Sequence, residues 1–591
     1  MQEPSIILDI LKTRSSKNYE IKDIYHYLYN EKFYIKAYKN LINTEKEIIT
    51  KELKRIHSII EEMKFERYVW KKTIDPKETY GGMSNLLVPE WQDKLVQEVL
   101  RMILSAIYEP KFSDASHGFR PNRGCHTALA RVYQKGQASE FFIKHDIINC
   151  FESIDHTILL NILKRDIKDG RFIELIRKML KAGKFGNDFV YGKTYSGTPQ
   201  GGVLSPLLAN IYLNEFDQWV ENTLVPKWNV GKNRPASREY HTLVNRIYNK
   251  NKLYNSTKDE SLKQELKTLR KKLRSISAKK SIEEYDYRRF AYTRYADDFL
   301  ITFTGTFDEV NIIDKEIKEY LTNVLKFDIN EDERPILKAD KYPVRFLGYN
   351  ILVQKSNTRI KHGQRSITGQ IGFFVPDDVI RDKIRKYSKN GKPIHLPYRM
   401  NDPEIDIIRT YQSELRGIAQ YYKFARNQYA LTKLKYVMEV SLVKTLANKL
   451  KIHCTKVYKK FKSTQVVNGC TYKVLKATVI NGTKIYSSYF GGVPLRRKTT
   501  FVKESIDDNI INTNNTKSRS SLSTRLLNNV CELCGSTKDI EMHHIRALKD
   551  IRKNKSLWAK KLSAMNRKTI AVCKECHNKI HNGTYDGRKL S

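Results

Sequence analysis

Along the first 65 residues apolar positions recur at the spacing of one helical face. In ILDILKTR and ITKELKRIHSIIEEM the intervening Lys and Glu fall on the other side, which predicts amphipathic helices with charged outer faces. Residues 86–110, LLVPEWQDKLVQEVLRMILSAIYEP, read as a strand edge and then a long amphipathic helix, followed by SHGFRPNRGCHTAL, a loop rich in Gly, Arg and His. Leu262, Leu266, Leu269, Leu273 and Ile276 keep helical spacing beneath a basic face in SLKQELKTLRKKLRSISAKK, which predicts a basic helical insertion. A further helical region spans about 404–452, with YQSELRGIAQYYKFA and YVMEVSLVKTLANKLKI. Residues 509–525 (NIINTNNTKSRSSLSTR) lack periodicity and read as a linker at a domain boundary.

The pattern changes at AYTRY and FLITF, two β-branched and aromatic runs separated by ADD. They predict a tight hairpin that projects Asp297 and Asp298 from one end. An acidic turn of this kind can be merely solvated, but FFIKHDIINCF upstream is strand-like and carries Asp146 at its end. A neighbouring strand could bring Asp146 beside Asp297, so that three carboxylates converge. Such a cluster suits two Mg²⁺ ions and nucleotidyl transfer, where positioning and charge neutralisation supply most of the catalysis.

The charge balance points the same way. With 107 Lys+Arg against 65 Asp+Glu the net charge is +42, spread along all 591 residues, and the natural partner is a polyanion such as nucleic acid. That length allows roughly four domains. No apolar run reaches the roughly 18 residues of a membrane span. The N-terminal stretch carries Glu3 and Asp9 and lacks the layout of an export signal, so action in the compartment of synthesis is expected.

Eight cysteines do not make a disulfide scaffold here, and four of them crowd near the end of the chain. CELC (Cys531, Cys534) and CKEC (Cys573, Cys576) are two C-x2-C knuckles that predict a structural tetrahedral Zn²⁺. His543 and His544 in EMHHI, with His577 and His581 in CHNKIH, could hold a second ion and leave one imidazole as general base. A zinc ribbon that only binds nucleic acid remains the alternative.

In order, HDIINCF, TPQGGVLSP and YADD resemble the palm of a reverse transcriptase. SHGFRPNRGCHTAL, TYSGTPQGGVLSPLLANIYL, YTRYADD and RFLGY more closely resemble the multidomain proteins encoded by group II introns, over almost the whole chain. The resemblance implies an α+β right-hand polymerase with fingers, palm and helical thumb, followed by a small zinc-stabilised ββα-metal HNH nuclease. The implied domains are an N-terminal helical region and fingers at 1–125, a palm at 126–365 with the basic insertion at 226–290, and a thumb or maturase region at 366–455. A basic DNA-binding region and linker at 456–525 and the nuclease at 526–591 complete them.

By the same resemblance, Asp146, Asp297 and Asp298 bind the two Mg²⁺, Phe151 is the sugar-sensing steric gate or else an ordinary core aromatic, and Gln200 lies beside the nascent base pair. His544 would activate water, and His543, His577 and His581 would hold one divalent cation, Mg²⁺ or Zn²⁺; Asn566, Asn578 and Thr569 compete for the place of the family's Asn. Lys271, Lys272 and Arg274 are expected on RNA. The implied partners are intron RNA, target DNA and deoxynucleoside triphosphates, without a membrane; a homodimer stays open. The implied setting is the bacterial cytoplasm or an organelle interior.

Three departures bear on activity. No Gly and Thr-rich loop precedes the fingers, Ser84 stands where a triphosphate-binding Arg is usual, and Phe151-Glu152 replaces the usual Phe-Asp. Two readings follow: a working reverse transcriptase, maturase and endonuclease, or an RNA-binding splicing maturase with weakened or lost polymerisation.

Overall fold

The computed structural model describes residues 2–42, 50–70, 90–182, 184–185, 191–192, 202–232, 234, 237–276, 286–330, 335–361, 364–481, 484–496, 531, 533–534, 536–544, 569–582 and 584. Ser84, Gln200, Asn566 and the 509–525 stretch lie outside these, and of His544 only the backbone is described. The chain divides into two units, Met1–Gly372 and Phe373–Ser591.

In the first unit the N-terminal periodicity is realised as α1 (Pro4–Ser16), α2 (Glu31–Ile42) and α3 (Thr50–Lys64). Pro4 sits in the first turn of α1, where its missing N–H would have had no helical partner. Helix α4 (Trp91–Tyr108) packs against α1 and α2, and its Val96, Val99, Leu100, Ile103 and Ile107 are wholly buried. After α5 (Cys125–Lys135) come β1 (Phe141–Ile143), α6 (Cys150–Ser153), α7 (His156–Asp166), α8 (Gly170–Lys181) and α9 (Ser205–Trp219). Asp155 and Asp169 cap α7 and α8 by accepting from the amides of Ile158 and Phe172, and Asp169 also accepts from Tyr25 N at 2.8 Å, which ties α8 to the N-terminal region.

The basic insertion contains two helices, α10 (Arg238–Thr257) and α11 (Glu260–Ser275), packed against each other. Leu266 is buried and Leu262, Leu269 and Leu273 half-buried, so the predicted stripe is the seam of this pair; Lys271 and Lys272 are exposed, whereas Arg274 is half-buried. The chain returns in β2 (Arg289–Tyr295) and β3 (Asp298–Thr304), then α12 (Phe307–Glu319) and β4 (Ile336–Lys338). These strands form an antiparallel sheet in the order β2-β3-β1-β4, with Phe141 opposite Phe303 and Ile143 between Ile301 and Ile336. Helix α9 covers it through Phe216, whose ring lies 5.2 Å from Phe299 and 5.7 Å from Tyr292. A second sheet follows, of β5 (Val344–Phe346), β6 (Tyr349–Lys361) and β7 (Gln364–Phe374).

The second unit begins with α13 (Asp377–Arg385), α14 (Glu404–Tyr421), α15 (Leu431–Leu450) and α16 (Cys454–Phe461), of which α14 and α15 fall in the expected helical region. Within the expected basic region, β8 (Lys462–Val467), β9 (Cys470–Asn481) and β10 (Lys484–Gly491) make an antiparallel sheet packed on α14. Gln412 of α14 bonds both the N–H and the carbonyl of Gly491, each at 2.9 Å. The sequence signal is Asn468-Gly469, which takes φ of 50° and 74° and closes a two-residue turn between alternating strands. Near the C-terminus β11 (Ile540–His544) and β12 (Thr569–Cys573) pair antiparallel and run into α17 (Lys574–His581), a ββα order. Among the described residues no helix is long and apolar enough to cross a membrane.

Candidate functional site

The β2–β3 hairpin closes through Ala296 and Asp297, with Tyr295 opposite Asp298. Ala296 has a φ of 56°, a left-handed conformation unfavourable for a residue with a Cβ, and the surrounding structure holds it there. Arg294, wholly buried, donates to the Ala296 carbonyl at 2.7 Å and makes a bidentate pair with Asp217 of α9 at 2.7 and 2.6 Å. The same guanidinium reaches Asn210 at 3.1 Å and Ser116 at 2.8 Å. Buried ions persist only when paired and hydrogen-bonded in this way.

The SHGFRP loop runs beside this hairpin. His117 N donates to Arg294 O at 2.9 Å, Arg294 N to Ala115 O at 2.8 Å, and a Cβ on Gly118 would stand 2.4 Å from Ala296 N. Glycine is therefore required at 118 for the loop to approach the acidic turn. Phe119 of the SHGFRP loop places its ring 6.3 Å from Phe151, edge to face, so that the expected gate residue is half-buried beside an exposed aromatic.

His117 is buried, with Nδ1 2.8 Å from Thr127 Oγ1 and Nε2 without a hydrogen bond. Burial, reinforced by Arg123, Arg131 and Arg120, lowers its pKa from 6.5 to about 3. A depressed folded-state pKa means that stability present above the unfolded value is lost as pH falls below about 6.5. Between pH 6.5 and 4.5 this one group should remove about 1.4 kcal/mol per pH unit, and urea midpoints across that window should fall less steeply in His117→Gln.

Asp146 follows β1, and the antiparallel β1–β3 pairing sets it on the side of Asp298. Asp146 is exposed and Asp297 and Asp298 are half-buried. Asp298 Oδ1 is buried without a hydrogen bond, and Oδ2 accepts from Leu347 N in the RFLGY turn at 3.3 Å. Burial pushes Asp298 up to about 6, against the pull of Lys144. The ammonium of Lys144 lies 3.0 Å from Asp146 Oδ1 and 3.5 Å from Asp298 Oδ1. Lys144 thus links Asp146 to Asp298. Two carboxylates converging on one cation in this way suit a hard divalent ion with oxygen ligands.

The cysteines and histidines are drawn together more tightly. Cys531, Cys534, Cys573 and Cys576 form one set, and His543, His577 and His581 another, each with its ligand atoms within 4.8 Å of one another; among the described residues the palm carboxylates form no such set. Burial raises the Cys531 thiol, but hydrogen bonds from the backbone at 534, 573 and 533 prevail and bring it down, whereas burial and the neighbouring thiols push Cys576 up. Val572 is buried among these cysteines, with Ile540, Ile570 and Ile580 packed around them.

The imidazoles of His543, His577 and His581 have centroids 4.8 to 5.0 Å apart. His577 Nδ1 meets Glu541 Oε2 at 2.7 Å, an orienting carboxylate that the spacing of Cys and His does not reveal. His544 stands opposite Thr569 in the β11–β12 ladder, and Asn578 lies on α17.

Comparison with known families agrees with this division. Residues 76–351 match the reverse transcriptase (RNA-dependent DNA polymerase) family, 378–506 the type II intron maturase family, and 531–577 an AI2M/AI1M-like HNH endonuclease. The maturase match includes the β8–β10 sheet. The chain is 33% identical to the group II intron-encoded protein LtrA of Lactococcus lactis over 98% of its own length and 99% of the relative's. It is 32% identical to an uncharacterized 91 kDa protein in the cob intron of Schizosaccharomyces pombe, over 89% of this chain and 64% of that one. A telomerase structure from Candida albicans aligns with a TM-score of 0.28 and 14% identity, covering 69% of this chain and 57% of that chain. With near end-to-end similarity to LtrA and all three domains in order, the chain belongs to the group II intron-encoded proteins, combining RNA-directed DNA polymerase, maturase and HNH endonuclease domains.

Proposed function

We propose that the protein assists splicing of its own intron RNA and copies that RNA into a DNA target nicked by its nuclease domain, using Asp146, Asp297 and Asp298 as the polymerase carboxylates. The observation that carries this reading is the convergence of Asp146 and Asp298 on one cationic point, at the mouth of a hairpin clamped by Arg294. Two Mg²⁺ held there would supply charge neutralisation at an attacking 3′-hydroxyl and a departing pyrophosphate. The chain's own part is to fix the carboxylates: Arg294 and Asp217 hold the turn, and Leu347 N orients Asp298. Phe151 and Gln200 are assigned to sugar and base selection.

In the nuclease, Cys531, Cys534, Cys573 and Cys576 would hold a structural Zn²⁺, and His543, His577 and His581 a divalent ion at the scissile phosphate. His544 takes the proton from water, and Glu541 fixes the ring of His577. The setting assigned is a bacterial cytoplasm or an organelle interior, with intron RNA, target DNA and deoxynucleoside triphosphates as partners.

The purified protein should extend a DNA primer on an RNA template; binding without extension would instead support the splicing maturase with a weakened polymerase. RNA affinity should fall steeply with salt. Neutralising Lys271, Lys272 and Arg274 together should flatten the slope of log affinity against log salt by about 2, not 3, since Arg274 is half-buried while both lysines are exposed. An unchanged slope would show that this helix is only a solvated face.

A further inference from the structure

The polymerase carboxylates already have a cation of their own. Lys144 follows β1 directly and shares the side of Asp146, two residues on, as strand alternation dictates. Its side chain is only 19% exposed, and its amide donates to Pro335 O at 2.9 Å, which fixes the base of the arm. The ammonium stands 3.0 Å from Asp146 and 3.5 Å from Asp298. An ion bridging those two carboxylates, with oxygen ligands at about 2.1 Å for Mg²⁺, would need the same space.

We propose that Lys144 is a tethered counter-ion of the polymerase site: it neutralises Asp146 and Asp298 before metal arrives, and divalent ions bind only by displacing it. This rests on the assignment of those aspartates as metal ligands. The consequence is a raised metal requirement. Each binding event must break two ion pairs at short range in a half-buried site, where charge interactions are stronger than in bulk water. The unoccupied carboxylates are meanwhile spared mutual repulsion. Lys144 acts on the ion and not on the reacting atoms, so its effect is expected in metal affinity rather than in the rate at saturating metal.

The experiment is Mn²⁺ binding to the full-length protein, followed by the loss of free-ion electron paramagnetic resonance signal, with thermal melting as a check on folding. Palm sites are identified as those lost in Asp298→Asn, which separates them from the histidine cluster. In Lys144→Met, uncharged and one atom shorter, palm Mn²⁺ should bind about tenfold tighter, and the Mg²⁺ giving half-maximal primer extension should fall in step. Lys144→Arg should stay near wild type. Lys144→Gln serves if the methionine variant fails to fold. Unchanged or weaker palm binding in the neutral variant would overturn the counter-ion role. Unaltered Mn²⁺ binding in Asp298→Asn would instead overturn the carboxylate assignment on which it rests.

Discussion

Alanine at both Asp297 and Asp298 should abolish cDNA synthesis while leaving RNA binding and splicing assistance largely intact. The polymerase would lose its main electrostatic stabiliser, and losses on the order of a thousandfold or more follow from removing such groups. The fold should tolerate the change. Arg294 is satisfied by Asp217, Asn210, Ser116 and the Ala296 carbonyl, none of which the substitution touches. Asp298 is moreover a carboxyl pushed up to about 6 by burial, so its ionised form adds no stability near neutral pH that alanine would forfeit. The assay is primer extension beside filter binding of intron RNA. Residual extension in the double variant, within tenfold of wild type, would refute the palm assignment.

Zinc removal should have the second large effect. Strong chelation, or Cys531→Ser, should unfold the segment around β11, β12 and α17 and leave the polymerase helices folded. That segment has a small apolar cluster of its own, centred on Val572 and the cysteines. Apparent zinc-binding energies of about 10–16 kcal/mol in small zinc-binding peptides exceed what such a cluster supplies. His544→Ala, by contrast, should keep the zinc and the fold and lose DNA nicking. Limited proteolysis and circular dichroism report the first change, and a plasmid-nicking assay the second. Normal nicking by His544→Ala would mean that another group moves the proton.

Much of this is legible from residues whose chemistry dictates their spacing. Two C-x2-C knuckles and an i, i+4 histidine pair find one another because strand pairing and one helical turn bring them together, and the four thiols and three imidazoles do form two tight sets. The YADD hairpin is legible because β-branched and aromatic runs on both sides of a short acidic stretch leave the chain little choice but to turn there. Arg294 lies in full view inside YTRYADD, yet its partner Asp217 is on α9, and no local pattern links a strand arginine to a helix aspartate. Lys144 is hidden by abundance, one lysine in a chain with 107 Lys+Arg. The β8–β10 sheet is masked by a basic composition that suits a nucleic-acid-binding segment of any structure, although the Asn468-Gly469 turn and the period of two on either side mark it.

The absence of room for a Cβ at Gly118 has an evolutionary corollary. Position 118 in the loop and position 296 at the hairpin tip share one packet of space, so a mutation at either is judged by the occupant of the other. In a saturation library, substitutions at 118 should be purged as completely as substitutions of the aspartates themselves, although residue 118 carries no functional group. Ala296→Gly removes the facing methyl at 3.1 Å but leaves the backbone nitrogen at 2.4 Å, so it should give only partial relief. The loop and the hairpin would then drift as a single heritable unit, far apart in the gene and inseparable under selection.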